Sequence, residues 1–215
     1  MTTRILLADD HALVRRGLRQ VIEKEPGLEV VAEASDGAEA VAKAEAEDVD
    51  LAILDIAMPR MTGLQAAEQL ARRRPRTRVI LLSMYDTDQY MLAAARIGAA
   101  GYLLKSMADE EIVDACHAVV RGRRFVYPAT VGARTRERLE RLHRGEDADA
   151  EVLTPRELEV LKLVGEGHSS RVIADTLVIS IKTVEHHRAN IVEKLGVRDR
   201  VGLTRYAIRR GLVEP

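Results

Sequence analysis

Four short apolar runs in this chain each end in a residue able to do chemistry. Residues 5–8 run into Asp9 and Asp10, residues 51–54 into Asp55, residues 79–82 into Ser83, and residues 101–104 into Lys105. Taken singly, each has a plain role: an Asp pair caps a helix, a serine sits in a turn, a lysine is a solvated loop charge. Taken together they suit one reaction. An aspartate that accepts a phosphoryl group must be ionised and lie in a crevice, with positive charge around the incoming oxygens. Asp55 is the expected acceptor, Ser83 offers a hydroxyl to a phosphoryl oxygen, and Lys105 offers a fixed positive charge. Asp9, Asp10 and Asp55 would crowd three carboxylates together, which raises at least one pKa unless a cation intervenes. Mg2+ suits that set because it takes oxygen ligands and keeps some waters.

Such a site needs strands that end side by side. Residues 1–121 alternate apolar runs with amphipathic segments: strands at 5–8, 28–32, 51–54, 79–82 and 101–104, with helical patterns between and after them. The first helix has Leu13, Val14, Leu18, Val21 and Ile22 on one face, and Pro26-Gly27 ends it. Asp36 with Glu39 three residues on resembles a helix start. Further helices are expected near 64–73 and 87–97, and a last one after Asp109 carries Ile112, Val113, Cys116, Val119 and Val120 on one side. Five strands alternating with five helices predict a parallel α/β sheet covered on both faces, in the common order 2-1-3-4-5. In that order Asp9 and Asp10 lie beside Asp55.

Composition excludes several classes. No apolar run reaches the ~20 residues that span a bilayer, and MTTRILLADD meets acids too early for a secretory signal. The single cysteine, Cys116, rules out a disulfide framework and a multi-cysteine metal site. The expected location is the cytoplasm. Net charge is −1 overall but unevenly spread: residues 1–121 hold 15 Lys and Arg against 20 Asp and Glu, residues 122–150 hold 7 against 5, and residues 151–215 hold 11 against 9. The mildly basic last part is the candidate to meet a polyanion.

Residues 122–149 read as a linker, with a solvated helix at 134–144 whose apolar contacts are Leu139 and Leu142, then a flexible acidic stretch from Gly145. Residues 150–215 read as four helices. Thr154, Pro155 and Glu157 form a capped start. Ser169 or Ser170 caps a short second helix ending near Leu177. Ser180 caps a third, Ile181–Leu195, stopped by Gly196, and a fourth runs from about Asp199 to Arg210 before Gly211. The short turn at 178–180 fits a helix-turn-helix. On the third helix Ile181, Val184, Ile191, Val192 and Leu195 form the apolar stripe. Lys182, His186, Ala189, Asn190 and Glu193 project roughly opposite, where Lys, His and Asn can reach phosphates and base edges. Arg188 falls near the stripe, so its long stem either reaches a phosphate or pairs internally. His187 flanks the stripe in a structural position.

The blocks ILLADDH, LDIAMPRMTG, LLSMYD and GYLLKS resemble, in order, the signatures of the receiver domain of bacterial response regulators. Residues 150–215 resemble the LuxR-type helix-turn-helix. Together they resemble the NarL/FixJ family of two-component response regulators. That resemblance implies phosphorylation at Asp55 by a sensor histidine kinase. It implies Mg2+ held by Asp10, Asp55 and the Ala57 carbonyl, with Asp9 acting through water, and a switch in which Ser83 moves toward the phosphoryl group and Tyr102 follows. It implies contacts to promoter DNA from Lys182, Thr183, His186, Asn190 and Lys194, and a homodimer on two half-sites. Relatives often have proline at 106, asparagine at 170 and an acidic or amide residue at 172; here stand Ser106, Ser170 and Val172. Ser106 leaves the isomer of the 105–106 peptide open.

Two enzyme readings fail on particular residues. Phosphatases and mutases of the haloacid dehalogenase type carry a second acid two positions after the nucleophile, where this chain has Ala57, so the general acid that speeds turnover is missing. No GxGxxG follows the first strand, which excludes a dinucleotide site. A phosphorylation-independent regulator or protein-binding scaffold with the same fold stays open.

Overall fold

Residues 51–55 are all buried, and a strand buried on both faces belongs at the centre of a covered sheet. In the computed structural model this strand, β3 (Leu51–Asp55), lies between β1 (Thr3–Ala8) and β4 (Arg78–Ser83), with β2 (Leu28–Ala34) and β5 (Gly101–Leu104) at the edges. All four pairings are parallel and the order is β2-β1-β3-β4-β5. The structure describes residues 2–84, 88–123, 127, 131–144, 153–209 and 212–213, without the side chains of 109, 110, 134, 143 and 155. These residues divide into two compact units, one from residues up to 84 with 94–131, the other from 88–93 with 132–213.

In the first unit the helices are α1 (Ala12–Ile22), α2 (Gly37–Ala46), α3 (Gly63–Arg73) and α5 (Ala108–Val120); of α4 (Asp88–Arg96), residues 88–93 belong to the second unit and 94–96 to the first. Side chains alternate across the sheet. Ile5, Leu7, Ile53, Ile80, Leu82 and Leu103 pack with Leu18 and Ile22 of α1 and Ile112, Cys116 and Val119 of α5. Each such side chain, fully buried, stabilises the fold by about 1.5–3 kcal/mol. Burial also pushes the Cys116 thiol up to about 12, so the lone cysteine is a core group.

The helix faces differ from expectation in extent. Leu18 and Ile22 are buried, but Leu13 is 82% exposed and Val14 is exposed too. Periodicity identifies a helix's apolar side without saying how far along it the neighbours reach. β2 runs two residues beyond the expected Ala32, and its pairing with β1 shifts between Ile5 and Leu6, as a bulge does. α5 begins at Ala108, after a 3₁₀ turn over Lys105–Met107. No cis peptide occurs among the described residues, so the 105–106 bond is trans.

The second unit contains α6 (Ala133–His143), α7 (Pro155–Gly165), α8 (Ser170–Leu177), α9 (Ile181–Leu195) and α10 (Arg200–Arg209). α6 is more than a solvated helix, since Leu139 and Thr135 are buried. The acidic stretch 145–151, Arg210 and Gly211 lie outside the described residues. Among the described residues no helix is long and apolar enough to cross a membrane.

α7 and α9 are joined through one carboxylate. Glu157, 2% exposed, accepts from the Thr154 backbone N–H at 2.7 Å and from Lys194 Nζ at 2.6 Å. Burial alone would push its pKa up, but Lys194 and the Thr154 N–H outweigh it and hold the carboxyl below its ordinary 4.5. A depressed acid contributes stability above its unfolded pKa and loses it as pH falls toward the folded one. Glu157→Gln is therefore expected to destabilise this unit by about 2 kcal/mol at neutral pH. The gap between wild type and variant should close as the pH falls below about 4.5, which thermal denaturation across pH 7 to 3 would measure.

Candidate functional site

The strand ends converge as the parallel order requires. Ala8 pairs with Leu54, Asp55 with Leu82, and Ser83 with Leu104. Asp9 leaves β1, Asp55 and Ser83 close β3 and β4, and Lys105 follows β5. The Lys105 side chain, 8% exposed, reaches back so that Nζ lies 2.7 Å from Asp9 Oδ2 and 2.8 Å from Asp55 Oδ2. Asp9 and Asp55 are almost wholly buried. Asp9 Oδ1 accepts the His11 backbone N–H at 2.8 Å, and Asp55 Oδ1 takes a long 3.3 Å bond from the Ala57 N–H. Burial pushes the Asp55 carboxyl above its ordinary value, a shift that Lys105 opposes and neighbouring Asp9 reinforces. For Lys105 burial works to lower the pKa, but Asp55 and Asp9 prevail and raise it.

The acidic cluster fits a divalent cation. Ligand atoms of Asp9, Asp10, His11 and Asp55 lie within 4.8 Å of one another. Asp9 Oδ2 is buried, and the contact it makes is with the Lys105 ammonium 2.7 Å away. Asp10 is more exposed and pairs with His11 Nδ1 at 2.7 Å. The sequence pattern points to the three acids but not to His11, although it directly follows Asp9 and Asp10. Ser83 is 1% exposed and Tyr102 is fully buried in β5.

Close backbone approach sets the loop after β3. Thr62 and Gln65 form a reciprocal cap on α3. At Gly63 an added Cβ would stand 2.1 Å from the Asp55 carbonyl oxygen, and at Gly37 it would stand 2.5 Å from the Met61 oxygen. Arg60, with φ 62, bonds the buried carboxylate of Asp36, which also caps α2 through the Glu39 N–H. That link between the loop and α2 joins distant residues and has no local sequence signal.

In the second unit Ser169 caps α8 and Ser180 caps α9. Between them Val178 takes a left-handed conformation, φ 53 and ψ 51, uncommon for a β-branched residue. On α9, Val184 and Ile191 are buried, whereas Ile181, expected in the stripe, is 49% exposed. It opens the helix directly after the cap, before the inner face meets its neighbours. Lys182 and His186 are exposed, and Thr183 and Asn190 are half-buried. Two residues expected at DNA are engaged inside the unit. Lys194 bonds Glu157, and Arg188 Nη1 bonds Ser170 Oγ at 2.9 Å and Glu185 Oε1 at 3.1 Å. The internal alternative for Arg188 is the one observed. His187 is half-buried, and burial, with Arg156 nearby, lowers its pKa.

Comparison with known proteins agrees with both halves. Residues 5–117 match the response regulator receiver domain, and residues 151–207 match the bacterial regulatory proteins of the luxR family. The chain is 35% identical to the oxygen regulatory protein NreC of Staphylococcus carnosus, over 98% of this chain and 99% of that protein. It is 34% identical to the transcriptional regulatory protein DegU of Brevibacillus brevis, over 98% of this chain and 94% of that protein. Among solved structures it resembles RcsB of Salmonella enterica serovar Typhimurium bound to promoter rprA in the presence of the phosphomimetic BeF3-. That likeness has a TM-score of 0.71 and 27% identity, covering 96% of this chain and 98% of the other.

Proposed function

Given that the chain belongs to the response regulators that join a receiver to a LuxR-type DNA-binding domain, we propose that it switches promoter binding by Mg2+-dependent phosphorylation of Asp55 from a sensor histidine kinase. The observation that carries this reading is Lys105 Nζ, held between Asp9 and Asp55 at adjoining strand ends. Residues 1–121 form the receiver, 122–149 the connection and 150–215 the output domain.

The Asp55 carboxylate attacks the phosphorus of the kinase phosphohistidine. An O–P bond forms, the P–N bond breaks, and its electron pair stays on the imidazole. Oδ1 is the less engaged oxygen, since Oδ2 faces Lys105. Lys105 and the Ser83 hydroxyl then turn to phosphoryl oxygens, and Tyr102 follows Ser83. Asp9, Asp10, Asp55 and the Ala57 carbonyl would hold Mg2+, which supplies positive charge to the phosphoryl oxygens when bound. With Ala57 in place of an acid, the chain acts as a phosphoryl acceptor that releases the group slowly, not as an enzyme. Phosphorylation biases an equilibrium toward a form with the output domain free to dimerise on two DNA half-sites. Lys182, Thr183, His186 and Asn190 contact DNA from α9. Lys194 would reach it by giving up Glu157, while Arg188 keeps its partners Ser170 and Glu185.

Incubation with acetyl phosphate and Mg2+ should label the wild type with a hydroxylamine-sensitive phosphoryl group. Asp55→Asn should lose that label completely while keeping a cooperative thermal transition. A folded Asp55→Asn that still labels would overturn the assignment.

A further inference from the structure

The outward face of α9 carries two carboxylates, Glu185 in its first half and Glu193 near its end, among cationic and neutral groups. Lys182, His186 and Ala189 are exposed, and Glu185 stands with them, its side chain 54% exposed. A carboxylate turned toward DNA is repelled by the phosphates, so it suits that face only where a donor awaits it. Glu185 is already ordered. Its Oε1 accepts from the Ser170 hydroxyl at the start of α8 and from Arg188 Nη1 at 3.1 Å. The same Nη1 donates to Ser170 Oγ at 2.9 Å, which closes a ring of three side chains. Both bonds fall on Oε1, and Oε2 keeps its acceptor capacity. Ordering before binding spares the complex the loss of that side chain's rotamer freedom.

The base edges decide the ligand. In the major groove a carboxylate can accept from cytosine N4 or adenine N6. Adenine sets its N7 acceptor beside N6, where it repels the second carboxylate oxygen. Cytosine has no acceptor on that edge. We infer that Glu185, held by Ser170 and Arg188, reads a cytosine in each half-site. Glu185 makes the contact, and Ser170 and Arg188 position it. The inference rests on the reading of α9 as the DNA-contacting helix.

The test is selection from a random-sequence duplex library by the full-length protein, followed by sequencing of the bound fraction. Wild type should enrich cytosine at one position per half-site. Glu185→Ala should lose discrimination at that position by about tenfold and keep the rest of the motif. Glu185→Gln should move the preference there toward adenine, which pairs with an amide through N6 and N7. Ser170→Ala should weaken the preference at the same position without moving it. If Glu185→Ala and Glu185→Gln keep the wild-type preference at every position, Glu185 does not read a base. If wild type enriches no sequence, the DNA-binding reading of α9 fails, and this inference with it.

Discussion

Gly63→Ala is expected to lower the stability of the receiver unit by about 2–4 kcal/mol and to abolish labelling of Asp55. Two effects oppose each other. Gly63 is the first residue of α3, and alanine favours a helix over glycine by up to about 1 kcal/mol. Against this, the new Cβ would stand 2.1 Å from the Asp55 carbonyl oxygen, 2.8 Å from its carbonyl carbon and 3.2 Å from Ile56 Cα. All three are backbone atoms, so no side chain can swing aside. Either α3 backs away and loses the Gly63 N–H bond to the Ile56 oxygen, 3.1 Å in the structure, or the end of β3 moves and carries the Asp55 carboxylate out of line with Lys105. The clash outweighs the propensity. Thermal unfolding should shift down by about 10 °C. Gly17→Ala is the control: Gly17 lies inside α1, and a Cβ there meets nothing within 4 Å, so the same substitution should stabilise.

Lys105→Met should have a comparable cost in stability and should tighten cation binding. It leaves Asp9 and Asp55, both nearly inaccessible, without their shared counter-charge. Removing one partner of a buried ionic cluster costs about 3–5 kcal/mol, and the full loss is expected in chelator at neutral pH. Lys105 also competes with a divalent cation for Asp9 Oδ2 and Asp55 Oδ2. Its removal should tighten Mn2+ binding by about tenfold, a difference of 1.4 kcal/mol, read from the free-ion resonance signal. Saturating cation should then restore much of the lost stability, because a ligand that binds only the folded state adds to its free energy. A loss of equal size with and without cation would show that Lys105 acts by packing alone. Phosphoryl-dependent switching should disappear in either case, since no ammonium remains to meet the new charge.

The site was largely legible because parallel sheets gather strand ends. Asp55 follows a run buried on both faces, and Asp9, Ser83 and Lys105 each follow another such run, so local pattern and sheet order together implied their meeting. The limits of α9 were equally local, marked by Ser180 before it and Gly196 after it. What stayed hidden depends on chain segments far apart. Lys194 looked free for DNA because its partner Glu157 lies 37 residues away. The bond between Arg60 and Asp36 joins two loops, and Leu13 and Val14 lie on an apolar face that its neighbours leave exposed. Periodicity gives the direction of a side chain; its partner is decided by packing.

Glu157 closes two loops of very different length. Its bond to the Thr154 N–H spans three residues and forms with the first turn of α7, on the sub-microsecond scale of helix formation. Its bond to Lys194 spans 37 residues and waits until α9 has docked. One carboxylate thus takes part first in nucleation and then in the last consolidation of the same unit. Substitutions of Thr154 should act mainly on the folding rate, and those of Lys194 mainly on the unfolding rate. The residence time of the folded DNA-binding unit, as distinct from its equilibrium stability, is then governed largely by Lys194.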